Sequence, residues 1–505
     1  MLIVGAGPTG LVLALWLTRF GVSIRIIDKL AASGTTSRAL AVQGRTLEFY
    51  QQFGLAKAVV DRAHKVPALN LWVKARPAAR ISLENLGQGS TPFPFPLIFP
   101  QDEHEALLIE RLNALGIEIE RQVELADFED RGSEIRATLR KAGTEDVGSY
   151  AFLAGCDGAR SRVREVLGTG FPGGTYDHLF YVADVEAAGS PMNGELHVDL
   201  DDADFLAVFP LQQTGRARLI GSVRDDAAKD HEHLAFSDVQ GRAMQNLRIE
   251  VKNVHWFSTY RVHHRVAQQF RKGRAFLLGD AAHIHSPVGG QGMNTGIGDA
   301  VNLAWKLAAA LAEPRSSSLL DSYEPERIAF ARRLVATTDR AFTAVTSDSA
   351  LARFVRTKAI PALAPSLFSL PAIRSFAFRT VSQIAVNYRD SALNRGAAGK
   401  LRGGDRLPWV KIGQGDEHNF AALTSMDWQI HVYGEPAPEL RTLADTRKIP
   451  LHVFPWRAGM RRAGLRRNAV YLIRPDGYIG LADSAGSAAA IGTYLSEKNL
   501  TTIIN

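Results

Sequence analysis

Three glycine-rich segments far apart in the chain carry residue types suited to one task, holding a charged dinucleotide. They are Gly5 to Gly10 (GAGPTG), Cys156 to Arg164 (CDGARSRVR) and Gly279 to Gly296 (GDAAHIHSPVGGQGMNTG). In the first, Gly5 permits a tight turn, Gly7 lets a diphosphate approach the backbone, and Gly10 lets a helix pack closely on the strand before it; Pro8 and Thr9 lie between them. The unpaired amides opening that helix favour phosphate. Asp28, followed by Lys29, stands 18 residues after Gly10, where a carboxylate at a strand end accepts hydrogen bonds from ribose hydroxyls.

The third segment supplies a different set of groups. Asp280 follows the apolar run Ala275 to Leu278 and suits a polyol hydroxyl, while the amides of Gly290, Gln291, Gly292, Met293 and Asn294 at a helix start suit negative charge on a reduced ring. Taken singly, Asp280 reads equally as a turn or capping aspartate, and Gly289, Gly290 and Gly292 as a flexible loop. Their conjunction with GAGPTG and with Asp157 and Gly158 points to one flavin nucleotide, FAD.

Positioning these groups takes strand, turn and helix in succession. Leu2 to Val4 reads as a buried strand, Leu11 to Phe20 as a helix and Ser23 to Ile27 as a second strand, a βαβ unit. Arg38 lies in TTSRAL, and Arg45 opens an amphipathic helix closing at Gly54; either arginine reads as a surface cation or a capping charge. Gln101, between a proline-rich stretch and a helix, aims its amide at a ligand or caps the turn. Strands over Ile117 to Phe128 and Ile135 to Arg140 complete a first half before Phe152 to Gly155 leads into Asp157.

From Gly170 to about His264 the pattern turns β-rich, with runs Glu195 to Leu200, Phe205 to Phe209 and Ala217 to Val223, read as a substrate-binding layer in which Phe205, Phe209 and Pro210 line an aromatic pocket. The strand Ala275 to Leu278 and a long helix from about Thr295 to Leu311 then return to the nucleotide fold. Ala359 to Ile384 is apolar, and Pro361, Pro365 and Pro371 break it into short helical pieces suited to core or subunit packing rather than a membrane surface.

A length of 505 residues exceeds one core, so several domains are expected. The single cysteine, Cys156, excludes an intrachain disulfide and a redox dithiol, and suits a reducing compartment, the cytoplasm. The net charge of +7 is spread without basic blocks interleaved with aromatics, against a nucleic-acid partner. The opening apolar run is broken by Gly5, Gly7, Pro8 and Gly10 and lacks a basic leader, so it reads as strand and turn rather than signal peptide; no segment reaches the about 18 apolar residues of a membrane span. His283, His285, His263 and His264 lack a convincing further set of metal ligands, so no metal is expected.

On these motifs the chain resembles the class A flavoprotein aromatic hydroxylases, the group of p-hydroxybenzoate, phenol and polyketide-tailoring hydroxylases, over residues 1 to about 345. NYRDSAL at Asn387, GGDRLP at Gly403 and YLIRPDGYIG at Tyr471 resemble members with a thioredoxin-like extension. The resemblance implies an α/β fold with a Rossmann-like FAD-binding domain of the p-hydroxybenzoate hydroxylase type, split into residues 1–169 and 266–395, the second part including a helical segment. A β-rich substrate domain at 170–265 is inserted, and a thioredoxin-like C-terminal domain without CxxC at 396–505 suits packing or a homodimer contact.

By the same resemblance Asp28 holds the adenosine ribose and Arg38 the pyrophosphate; Gln101 and Asp280 hold the ribityl chain, Gly290 to Asn294 the isoalloxazine, and Leu125 touches adenine through its backbone. Asp157, Gly158, Arg160 and Arg164 serve FAD and the pyridine nucleotide. The family often carries Glu where this chain has Asp28. The implied activity is a monooxygenase: NADH or NADPH reduces FAD, molecular oxygen adds at flavin C4a, and the hydroperoxide passes an oxygen atom to a small phenolic or polyketide-type aromatic substrate. Pro287 and Gly290 are the implied oxygen and flavin pocket. No base is evident; His283, His285, Tyr181 and His197 are candidates, each also readable as an ordinary core, turn or surface residue. A flavin-bound redox sensor or scaffold without oxygenation is the alternative.

Overall fold

The computed structural model describes residues 1–34, 39–200, 205–223, 234–240, 242–286, 289–346, 349–413, 415 and 417–500. Its first layer grows from the opening motif. The apolar triplet Leu2–Val4 is fully buried and pairs in parallel with Arg25–Asp28 on one side and Leu153–Gly155 on the other. Ala275–Leu277 adds in parallel beyond Leu153–Gly155, so segments more than 270 residues apart in the chain lie in one six-stranded sheet. Strands buried on both faces read as continuous apolar runs, as Leu2–Val4, Leu153–Gly155 and Ala275–Leu277 do. The helix Pro8–Arg19 starts three residues before the apolar run that marks it, because Pro8 suits a first helical position whose amide needs no partner.

Two glycines of that turn are dictated by packing. Gly5 has φ +104, and a Cβ there would lie 2.3 Å from the Cys156 carbonyl oxygen; a Cβ on Gly10 would lie 2.0 Å from the Gly5 oxygen. Gly7 is the opposite case, with nothing within 4 Å of the built Cβ, which leaves its backbone approachable.

The second layer is an eight-stranded sheet. Gly173–Ala188 pairs along its length with Glu250–Val266, followed by Arg216–Ser222, Leu206–Pro210 and Leu196–Asp199. The sheet does not stop at the inserted segment: Leu196–Asp199 pairs in parallel with Ala68–Val73, which forms a hairpin with Arg76–Ser82. A separate antiparallel sheet of three strands, Val123–Asp130, Ile135–Lys141 and Thr144–Tyr150, flanks the first layer.

Downstream, the helix Ile360–Ser369 packs on Arg76–Ser82 at the edge of the second sheet, and Pro371–Val381 packs against that helix. Pro361 and Pro371 sit at helix starts, as the composition suggests, but Pro365 lies inside its helix and does not break it. The last unit is a six-stranded sheet in which Gln429–Tyr433, the helix Pro438–Arg447 and Leu451–Phe454 make a parallel crossover, followed by antiparallel Val470–Ile473 and Ile479–Asp483 and the helix Ala488–Glu497. Its core is continuous with the long helix Gly292–Ala312: Trp305 packs edge-on against Trp428, with ring centroids 5.6 Å apart.

Candidate active site

A cavity of about 970 Å³ opens where the first two layers meet. One end is lined by the turns that the sequence marks: Gly7, Pro8 and Thr9; Cys156, Gly158 and Ala159; Asp280; and Gly289, Gly290, Gln291, Gly292 and Met293, with Gln101 beside them. The other end is apolar, with Leu69, Ile81 and Leu83 from the hairpin, Phe209 and Ile220 from the β layer, and Phe368 and Phe378 from the helices above.

The glycine loop is fastened from several directions. Gln43 donates through Nε2 to the Gly289 carbonyl at 2.9 Å, and Asn294 donates through Nδ2 to the carbonyls of Ala41 and Gly290. Gln291 donates to the carbonyls of Gly289 and Val381, and its Oε1 accepts from Gln383, which ties the loop to the end of the helix Pro371–Val381. Gly289 and Gly290 have φ +77 and +61, conformations open to glycine. The loop therefore presents backbone rather than side chains, followed at once by a helix start whose amides favour negative charge.

Behind the loop, Asp299 is fully buried and accepts from the Gly279 amide, His283 Nε2 at 2.7 Å and Arg327 Nε at 2.5 Å. Burial alone would raise its pKa, but Arg327 and then His283 outweigh that cost and hold the carboxyl below its ordinary range. This ion cluster fixes the strand-to-loop corner that carries Asp280.

His285 is different in kind. Its Nδ1 lies 2.7 Å from the Ser286 carbonyl oxygen, an acceptor only, so Nδ1 carries the proton and Nε2 is left as an acceptor. Nε2 is buried and has no partner among the described residues, and the residue lines the cavity beside Gly292. Burial lowers the ring's pKa to about 4, against the opposing effect of the Ser286 bond.

Several expectations are corrected. His283 is buried against Asp299, His197 accepts from Trp72 Nε1 and contacts Asn193, and Tyr181 belongs to the core of the β layer; none of the three lines the cavity. Phe209 lines it, whereas Phe205 packs beside Phe180 and Val262, and Pro210 lies at the end of its strand; neither reaches the lining. Arg45 is neither a surface cation nor a cap: it is buried, paired with Glu48 at 2.7 Å and donating to the Asp476 carbonyl.

Other site residues also lie off the cavity lining. The Asp157 carboxylate accepts from Ser161 Oγ and the Val163 amide, capping the helix Arg162–Leu167. Asp28 accepts from the Ala6 and Leu30 amides, bracing the first turn; Lys29 is exposed and Leu125 is buried in its strand. Arg164 is spent on the carbonyls of Ala281 and Ala159. Arg38 and Pro287 fall outside the described residues. The hairpin, Gln43 and the helices Ile360–Ser369 and Pro371–Val381 carry no local sign of their role, since a distant parallel pairing brings the hairpin to the site; ALNLWV is a short apolar run interrupted only by Asn70.

The turns fit FAD. An approachable Gly7, the glycine loop and Asp280 line a single cavity. A family described as an FAD binding domain matches residues 1–338, and the chain belongs to it: it is an FAD-dependent class A flavoprotein monooxygenase. It is 34% identical to a 6-methylpretetramide 4-monooxygenase from Streptomyces rimosus over 99% of this chain and 93% of that one. A flavin-dependent monooxygenase from Mycobacteroides abscessus is 30% identical, with 96% and 97% covered. Among solved structures, an anhydrotetracycline hydroxylase from Streptomyces rimosus superposes with TM-score 0.78 at 27% identity, covering 98% and 97%. These relatives bear out the monooxygenase rather than a redox sensor or scaffold. No helix among the described residues is long and apolar enough to cross a membrane.

Proposed function

We propose that the chain hydroxylates the phenolic ring of a polycyclic, polyketide-type substrate in the cytoplasm, with NAD(P)H as electron donor and O2 as oxygen source. The observation that carries this reading is the continuity of the cavity: the backbone-lined end passes directly into an apolar chamber walled by Leu69, Ile81, Phe209 and Phe378, wide enough in total for a cofactor ring and fused aromatic rings together. Relatives named for tetracycline-type substrates support the substrate class.

In this reading Gly7 to Thr9 and Gly158 take the pyrophosphate side of FAD, with Asp28 and Arg38 toward the adenosine end. Gln101 and Asp280 take the ribityl chain, and Pro287 and Gly290 to Asn294 take the ring. Bound FAD supplies the activation of dioxygen for transfer to an electron-rich ring. The chain's own residues do the rest. The apolar wall excludes water and fixes the ring's plane. His285 Nε2 accepts the hydrogen bond of the ring hydroxyl, which leaves more electron density in the ring, and the amides opening the helix Gly292–Ala312 favour negative charge at the cofactor end. The C-terminal segment from 396, read as thioredoxin-like without a dithiol and as a homodimer contact, braces the long helix.

Incubation with NAD(P)H, a panel of phenols and anthracycline- or tetracycline-type polycycles under labelled dioxygen tests this. One labelled atom in the product, with reductant oxidation stimulated by the substrate, is expected; peroxide alone across the panel refutes hydroxylation.

A further inference from the structure

Nine of the thirteen large apolar side chains that stand exposed among the described residues fall between Leu351 and Val381. Composition alone reads this stretch as core or subunit packing; the structure leaves it at the surface. The helix Ala350–Phe354, a π-helical turn over Val355–Ala359 and the helix Ile360–Ser369 follow one another without a break, and Pro371–Val381 packs against the last of them. On Ile360–Ser369 the inner face is Pro361, Ala364 and Phe368, and Phe368 lines the active cavity. The outer face, Ile360, Leu363 and Leu367 with Leu370 just beyond, recurs at three- and four-residue spacing and is exposed. A helix apolar all round belongs in an interior, and this one has an interior on one side only. Upstream, Leu351 and Phe354 are exposed; on the next helix Phe376 is 74% exposed while Ala377 and Phe378 line the cavity. Single exposed leucines need no explanation, but a run of them on consecutive turns marks a contact surface.

The second, independent observation is charge. From Ser349 to Arg389 the chain has no aspartate or glutamate, and Arg353, Lys358 and Arg379 are exposed among the apolar side chains. On the strand Arg76–Ser82, against which Ile360–Ser369 packs, the charged side chains are Arg76 and Arg80, and Arg80 is paired with Glu195. Phe376 and Arg379 lie three residues apart on one side of their helix, and Arg379 also stands in the wall of a hollow of about 1280 Å³ beside the C-terminal sheet. Seven cationic side chains line that hollow against one carboxylate, Asp405, which Arg389 engages at 2.6 Å. An apolar ridge thus runs into a basic shoulder.

Charge separates the possible occupants of this face. A second copy of the chain across a two-fold axis would set the same cations against one another, with no acid of this segment to answer them. A bilayer with anionic headgroups answers both features at once, since its acyl boundary takes the apolar ridge and its phosphates the basic shoulder. We propose that the ridge from Leu351 to Val381 docks the enzyme on an anionic lipid surface, with Leu363, Leu367 and Phe376 in the acyl boundary and Lys358 and Arg379 at the headgroups. Because the same helices wall the active cavity on their other side, docking holds the apolar chamber beside the lipid phase in which a polycyclic phenol concentrates. That consequence rests on the substrate class proposed above; the docking itself does not.

Co-flotation of the FAD-loaded enzyme with lipid vesicles reads docking without turnover. Vesicles of phosphatidylcholine and phosphatidylglycerol in equal parts should carry the parent, whereas pure phosphatidylcholine or high salt should leave most of it free. Leu367→Ser and Phe376→Ser, at exposed positions off the cavity lining, are each expected to weaken partition about tenfold, the scale of one large side chain withdrawn from an apolar phase. Lys358→Ala should weaken it about fivefold, the scale of one cation near an anionic surface. Flavin absorbance and unfolding temperature should hold in all three, as for surface substitutions generally. Leu115→Ser, at an exposed leucine that ends the helix Gln101–Ala114, should float like the parent and so exclude a general loss of surface apolarity. No binding by the parent overturns the proposal, as does binding that neither serine variant at the ridge weakens. Equal binding to neutral vesicles also overturns it, by removing the charge complementarity. A parent that fails to float, is dimeric by light scattering and turns monomeric in the ridge variants assigns the face to a second copy instead.

Discussion

At the scale of single residues, His285 is the side chain whose state the structure defines most sharply. Its Nδ1 is committed to the Ser286 carbonyl, and Nε2 is left buried with a lone pair and no donor among the described residues. A ligand hydroxyl supplies that donor, and removing one half of such a pair costs more than the bond itself is worth. His285→Phe should lower kcat/KM for a phenol about tenfold to a hundredfold. Discrimination between the phenol and its methyl ether should vanish, and His285→Gln should restore part of it. Equal discrimination in parent and Phe variant would remove the residue from substrate recognition. With the pKa lowered to about 4 by burial, the acceptor is present throughout the neutral range and is lost only as pH falls through about 4. The linkage runs the same way. Between about 6.5, the ordinary imidazole value, and 4, the unfolded chain takes up a proton that the folded ring refuses, so this residue makes stability fall as pH drops across that window. The sequence offered His283, His285, Tyr181 and His197 as equals, because nothing local separates a ring held by a buried aspartate from one facing a cavity; only the partners of each nitrogen do.

At the scale of elements, legibility followed locality. The turn Gly5 to Gly10, its strands and the loop Gly289 to Asn294 could be read because glycine spacing and apolar runs encode them within a few residues. The substrate wall could not. The hairpin Ala68–Ser82 is recruited to the second sheet through a pairing with Leu196–Asp199, about 125 residues away in sequence, and the helix Pro371–Val381 covers the cavity through contacts that no periodicity reveals. That helix is seated by Gly87, where an added Cβ would lie 2.0 Å from Phe378 Cε1. Phe378 is itself buried and part of the cavity lining, so it has little room to turn aside. Gly87→Ala should overpack this contact at a cost of about 1–3 kcal/mol and raise the KM for the aromatic substrate severalfold. Flavin content should hold, since the turn Gly5 to Gly10 is built on other contacts. A parallel loss of flavin and substrate affinity would show that the helix supports the cofactor end as much as the substrate wall.

For the whole molecule, the decisive structure is a buried ionic seam that no sequence pattern could assemble, because its members come from three separate segments, around residues 302–306, 326 and 474–476. Glu326 accepts from both terminal nitrogens of Arg474, from Lys306 Nζ at 2.8 Å and from Asn302; Arg474 also bonds Asp476, which accepts from Trp305 Nε1. Burial alone would raise the Glu326 carboxyl, yet Arg474 and then Lys306 drive it far below its usual range, while Lys306, desolvated, falls to about 8 despite Glu326. Each charge is tolerable in the interior only through its partners. Arg45, Glu48 and Arg406 extend the seam, so the C-terminal sheet is bonded to the nucleotide fold along charges as well as through Trp305 and Trp428. Neutralising the carboxylate alone leaves two buried cations facing each other. Glu326→Gln should therefore cost about 3–5 kcal/mol, whereas replacing Glu326, Lys306, Arg474 and Asp476 together with uncharged residues of similar size should cost much less. Calorimetric unfolding of the holoenzyme checks both. A single variant as stable as the parent would mean that water reaches the seam and screens it, and that the two halves are joined by apolar packing alone.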